Sequence, residues 1–225
     1  MVLDLFSLAS IPIASAVYQN RELGRTKTRQ DGKSKHEIVD VGPTKYNLDV
    51  FCDTKSRKRA EVDRTVIVLR SNKLYLAPRD RATDEPIPTS SDPEPHPFTG
   101  FFLQYETESI KTIPGLVSTL SADETPLLNW IYVNEKTMEV KYGSRAHTQN
   151  GIVGPFDWTD TIDADGVGLT LDGFEGFCAV EEKRGKGDKR GEWALYFDKD
   201  DDGLKGVESV QGKRCLSCSV ERRLV

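Results

Sequence analysis

Thr65-Val66-Ile67-Val68-Leu69 and Leu74-Tyr75-Leu76-Ala77, separated by Arg70-Ser71-Asn72-Lys73, decide the fold class. β-Branched, aliphatic and aromatic side chains suit a pleated, half-buried surface. A short polar joint between two such runs is the signature of a hairpin. The same signal recurs on both sides. Tyr46–Cys52, Phe98–Tyr105, Leu116–Leu120, Leu169–Leu171, Phe174–Glu181, Trp193–Phe197 and Leu216–Val220 read as strands. Leu127–Val133 and Met138–Tyr142 form a second hairpin across Asn134-Glu135-Lys136-Thr137. Pro78–Pro97 is a proline-rich exposed loop, because proline cannot donate to a ladder. Past Leu23 no stretch carries apolar residues at helical spacing. The expectation is an all-β, antiparallel β-sandwich or barrel of about 10–11 short strands, behind an N-terminal apolar helical segment.

Three parts follow: an apolar segment 1–20, a basic linker 21–43 and a β-rich domain 44–225. Phe51-Cys52 and Phe177-Cys178 are each followed by a basic loop and a hairpin, an echo that admits two packed β units, 44–120 and 127–225. The 225 residues carry a net charge of −5, which argues against nucleic acid as a partner. A chain of this length has core enough to stand without disulfides, so Cys52, Cys178, Cys215 and Cys218 are expected reduced and mostly buried. No Asn-x-Ser/Thr acceptor occurs, which removes one mark of a secreted surface.

Met1–Val17, MVLDLFSLASIPIASAV, supports three readings. It is short for a membrane span and has Pro12 in its middle. As a signal peptide it offers Ala14-Ser15-Ala16 but lacks a basic start and contains Asp4. As a packed or interfacial helix it meets no such obstacle. Arg21, Arg25, Lys27, Arg29, Lys33 and Lys35 follow at once, an order that suits an anionic lipid surface. A helix docked on the β domain and trailed by a solvated linker is the structural alternative. Localisation is expected to be intracellular with membrane association, secretion through the N-terminal segment remaining open.

Asp198, Asp200 and Asp202, followed by Gly203, match the first half of a calcium loop. The second half fails, since Ser209 stands where the bidentate acid belongs, and an Asp/Gly turn explains the same residues. Calcium is the one cofactor the chain suggests. Asp163-Ala164-Asp165-Gly166 is a shorter acidic turn. Cys215 and Cys218 have metal-site spacing, but extended residues three apart face opposite ways and no second pair completes four ligands. His147, Asp157 and Trp158 lie in neighbouring polar stretches and are the candidates for lining a ligand pocket. Trp130 and Trp193 alternate inward and are expected in the core. No nucleophile elbow, P-loop, dinucleotide fingerprint or zinc-protease motif occurs, so the balance leans away from an enzyme.

The runs His96–Phe102, Tyr132–Gly143, Gly154–Trp158 and Leu169–Phe177 resemble a family of filamentous-fungal proteins of similar length to which no activity is assigned. The resemblance implies a fungal origin and brings no cofactor or catalytic residue. The leading expectation is a non-enzymatic β-domain protein that acts by binding, at an anionic membrane surface or with a protein partner. A small-molecule carrier or enzyme with a cavity in the β domain, and a calcium-stabilised binding module, are the alternatives.

Overall fold

The computed structural model describes residues 44–87, 94–107, 109, 111–119, 128–161, 164–183 and 191–225. The apolar segment, the basic linker with Arg21, Arg25, Lys27, Arg29, Lys33 and Lys35, and also Asp163, lie outside the described residues. Fifteen strands run along the described chain. They are β1 (Tyr46–Phe51), β2 (Thr65–Arg70), β3 (Lys73–Pro78), β4 (His96–Pro97), β5 (Gly100–Glu106), β6 (Thr112–Thr119), β7 (Leu128–Asn134) and β8 (Val140–Gly143). Then come β9 (Gly151–Ile152), β10 (Phe156–Trp158), β11 (Leu169–Leu171), β12 (Phe177–Lys183), β13 (Gly191–Phe197), β14 (Cys215–Ser217) and β15 (Ser219–Leu224). One helical turn, α1 (Arg59–Val62), and two 3-10 turns, Arg145–Asn150 and Glu208–Val210, complete the set.

The strands close into an antiparallel barrel. β15 zips onto β1 from Tyr46↔Leu224 to Phe51↔Ser219, β1 meets β5 at Tyr46↔Gly100, and β5 pairs with β6 throughout. β11 pairs with β10 and reaches β15 through the bridge Gly168↔Glu221. Closure satisfies backbone groups that an open sheet would leave at its edges, and this favours barrel over sandwich. Alternate residues of these wall strands fill the interior. Leu48, Val50, Leu116, Leu169, Leu171 and Val220 are each at most 2% exposed.

Three hairpins interrupt the wall: β2–β3 follows β1, β7–β8 follows β6, and β12–β13 follows β11. In the first, Ser71 and Asn72 both take left-handed φ, 49° and 61°, so the two-residue turn has the twist that antiparallel strands require. The hairpins meet one another: β3 pairs with β13 at Leu76↔Trp193 and Tyr75↔Ala194, β3 with β8 at Lys73↔Lys141, and Glu139 bridges to Tyr196. The Phe-Cys echo joins unlike positions, because Phe51-Cys52 closes a wall strand whereas Phe177-Cys178 opens a hairpin.

Three short pieces were not anticipated. His96–Pro97 emerges from the proline-rich stretch as β4, an edge strand on β2, where a missing N–H costs little. Phe156–Trp158, in one of the polar stretches, is held in a ladder by β11. Leu216–Val220 is divided between β14, which pairs with β12, and β15, which pairs with β1, and Cys218 N–H still bonds Phe177 O of β12 at 3.1 Å.

The barrel core is expected to dominate stability. Leu116→Ala should cost about 2–5 kcal/mol. Leu103→Ala on the neighbouring strand, where the side chain is 38% exposed, should stay within about 0.5 kcal/mol. Urea unfolding of both variants measures the contrast, and equal costs would refute this assignment of inside and outside.

Candidate functional site

A set of partly buried charges gathers where the hairpins meet. Lys73 opens β3 immediately after the tight turn, so its side chain projects toward β8 and β13. Its Nζ lies 2.6 Å from Glu139 Oε1 and 2.8 Å from Glu182 Oε1. Tyr196 Oη donates to Glu182 at 2.5 Å, and Thr137 Oγ1 donates to Glu139 Oε2 at 3.0 Å. Lys141 stands 3.8 Å from Glu139 Oε2 and Lys213 3.9 Å from Glu182 Oε1, the oxygen that Lys73 and Tyr196 also engage. Beside them Arg70 bonds Glu192, and its guanidinium lies 4.3 Å over the Tyr75 ring.

Lys73, Glu139 and Glu182 are only 12–17% exposed, so their attraction is weakly screened. Burial alone would push the Glu139 carboxyl up, but the Lys73 ammonium overrides it and holds the group below the ordinary carboxylate value. Burial likewise disfavours the Lys73 cation, yet hydrogen bonds to Glu139 and Glu182 raise it above its ordinary value. Burial, then the carboxylate of Glu182, keeps the Tyr196 phenol protonated far into base. The result is a matched set with a locked cation and a neutral phenol donor. Lys73, held protonated, has no lone pair for nucleophilic or base chemistry. This set is a polar clasp between hairpins.

The residues singled out from sequence fall elsewhere. Asp198 accepts from the N–H groups of Asp202 at 3.2 Å, Gly203 at 2.7 Å and Leu204 at 3.4 Å, and Asp202 accepts from Lys205 N at 3.0 Å. These are turn-forming bonds, and Asp200 is exposed. Among the described residues no group of three His, Cys, Asp or Glu side chains is placed to hold a metal ion. His147 is exposed on the Arg145–Asn150 turn, with Nδ1 2.8 Å from Ser144 Oγ.

Asp157 and Trp158 are successive residues of β10 and point to opposite sides of it: Asp157 is exposed, Trp158 half-buried. The Trp158 ring packs on Tyr46 at 4.8 Å and Phe102 at 5.1 Å, with the Arg222 guanidinium 5.2 Å over its face. Its observed contacts are thus with the barrel wall, whereas those of His147 are within its own turn. Trp193 is buried, as its alternation indicates, and Trp130 is half-buried against Tyr105 at 4.9 Å. Cys215 and Cys218 face opposite ways, as an extended spacing of three requires. Cys215 packs with Cys178, while Cys218 is buried on the other side of the strand.

The clasp escaped the sequence reading. Its members are spread over more than a hundred positions and share no motif. The one local sign is a charge directly beside a buried aliphatic where a hairpin strand begins, as in Lys73-Leu74 and Glu139-Val140.

The model of the fungal beta-trefoil domain family matches residues 22–225. No curated protein and no solved structure matches the chain.

Removing the central cation tests the clasp. Lys73→Met leaves two carboxylates facing each other in a nearly dry seam. It should cost about 2–3 kcal/mol at neutral pH, less than for a fully buried pair because the rim stays wet. In the wild type Glu139 titrates lower when folded than when unfolded. Its contribution is therefore present above the ordinary carboxylate value of 4.5 and lost as pH falls through the depressed folded value. That of Lys73 is present below 10.5 and lost as pH rises through its elevated folded value. In Lys73→Met burial is left to raise Glu139, so the deficit should shrink as pH drops below 5. Urea midpoints from pH 3 to 8 decide it, and a deficit constant across that range would refute the clasp.

Proposed function

We propose, from the premise that this chain belongs to the fungal beta-trefoil domain family, that it is a binding domain tethered to anionic membrane surfaces by its N-terminal segment. The observation carrying this reading is the order of residues 1–35: an apolar stretch followed at once by Arg21, Arg25, Lys27, Arg29, Lys33 and Lys35. An apolar segment gains by burying in the acyl boundary, and each cation near an anionic leaflet adds about 1 kcal/mol. Neither part suffices alone: the apolar stretch is short and the cations are screened within a Debye length in physiological salt. Two weak attachments in series make one stable one.

The β domain fits the role of cargo. Gly42–Val225 forms a compact unit, so a chain beginning at Thr44 keeps every described strand. Among the described residues, which do not include the N-terminal segment, no helix is long and apolar enough to cross a membrane. The partly buried charges Lys73, Glu139 and Glu182 pair with one another within the domain.

Co-sedimentation with vesicles separates the outcomes. The full-length chain should pellet with phosphatidylserine-containing vesicles and be released by 1 M salt, where screening shortens to about 3 Å. A chain beginning at Thr44 should stay in the supernatant. Replacing Arg21, Arg25 and Lys27 by Gln should weaken binding by at least tenfold. Equal partition of the full-length and shortened chains, or equal binding to neutral phosphatidylcholine, would sink the proposal.

A further inference from the structure

Cys178 and Cys215 stand in a relation that neither the barrel nor the clasp requires. In the β12–β14 ladder Val180 is opposite Cys215 and Cys178 is opposite Ser217. Cys178 and Val180 are two apart and share a face, so Cys178 and Cys215 are diagonal neighbours on that face. Both pack in the cluster built from Val180, Ala194, Tyr196, Leu204 and Val210. Their accessibility differs. Cys178 is 3% exposed, whereas Cys215 is half-buried and within reach of a small reagent. Cys52 and Cys218 are buried elsewhere, Cys52 Sγ lying 3.4 Å from Ser217 O.

We propose that Cys215 and Cys178 are a thiol–disulfide exchange pair, Cys215 attacking and Cys178 resolving, that takes its oxidising equivalents from a low-molecular-weight disulfide such as oxidised glutathione. The Cys215 thiolate attacks one sulfur of the disulfide, the S–S bond breaks, and one glutathione leaves as thiolate and takes up a proton. Cys178 then loses its proton to solvent and attacks Cys215 Sγ, expelling the second glutathione. Two protein thiols are oxidised and one disulfide is reduced to two thiols, with no other reactant.

The electrostatics agree with this division of labour. The hydrogen bond from Cys178 holds the Cys215 thiol below its ordinary value, despite partial burial. The same bond, then burial, pushes Cys178 far up, so it stays protonated until Cys215 has become a mixed disulfide. Burial pushes Cys218 up in the same way and leaves it inert.

Diagonal partners on a ladder are about 7–8 Å apart at Cα, more than a disulfide spans, so closure must draw the strands together. β14 is the element able to move. It is three residues long, so a small shift of this short strand closes the gap. The product would staple β14 to β12 beside Leu204 and Val210, which pack on the same cluster.

Full-length native protein is incubated with oxidised glutathione, free thiols are capped, and intact mass and peptide maps are recorded. The expected product has lost two hydrogens and yields a peptide joining Cys178 to Cys215. Cys178→Val, which preserves an apolar strand residue, should stop at one glutathionyl group on Cys215. Cys215→Ala should block both steps. Because a variant could misfold, the wild type supplies a second reading: iodoacetamide should label Cys215 at least about tenfold faster than the other three cysteines. Persistent glutathionylation of the wild type, first modification at Cys52 or Cys218, or no reaction under native conditions would each overturn the proposal.

Discussion

Lys73 is the point at which three otherwise independent hairpins acquire a fixed relation to one another. Each hairpin contributes a member of the clasp: β2–β3 the ammonium, the strand start before β8 the Glu139 carboxylate, and β12 the Glu182 carboxylate. Backbone pairing between the hairpins is sparse, with two ladder positions between β3 and β13, one between β3 and β8 and the bridge from Glu139 to Tyr196. Apolar contacts between them would be indifferent to a slip of register. A cation that must find two acceptors in a nearly dry seam is not, because a slip would strand a buried charge at several kcal/mol. Tyr196 adds directionality, since its phenol can only donate to carboxylates that stay ionised.

The same solution recurs on the wall. Asp49 lies on β1 and is buried, yet its two oxygens are taken by Arg79, just past β3, at 2.7 Å and by Arg223 of β15 at 3.2 Å. One carboxylate thus ties the end of a hairpin to the strand pair that closes the barrel. Arg223 also donates to Asp84 O at 3.3 Å, which draws the loop beyond β3 onto the same corner. Apolar side chains fill the interior, and charge pairs decide which pieces of the periphery sit beside which. The division follows from the physics, because hydrophobic burial is non-directional whereas a paired charge accepts few arrangements.

That division also explains what the sequence made legible. Thr65–Ala77 announced its hairpin because alternation and turn chemistry are local, and Ser71 and Asn72 adopt the left-handed turn that their small and amide side chains tolerate. Leu169–Leu171 and Trp193–Phe197 were legible for the same reason. Phe156–Trp158 was not, because three residues after Gly154-Pro155 carry too short a period, and only the partner β11 makes them a strand. The clasp was invisible because it exists only once distant hairpins have met. Asp198, Asp200 and Asp202 attracted notice through a pattern that calcium loops and tight turns share, and Asp198 uses its oxygens for the turn. His147 and Trp158 seemed close by number, but a strand and a 3-10 turn give them different neighbours.

β1 and β15 are the first and last of the described strands, and they lie side by side along their full length. During synthesis, then, Tyr46–Phe51 leaves the ribosome without its partner and waits for nearly the whole remaining chain to be made. Local hairpins such as β2–β3 can form in the meantime, but the ring cannot shut until Ser219–Leu224 emerges. The exposed edge of β1 is the nascent chain's principal site for wrong pairing, and the last strand acts as its latch.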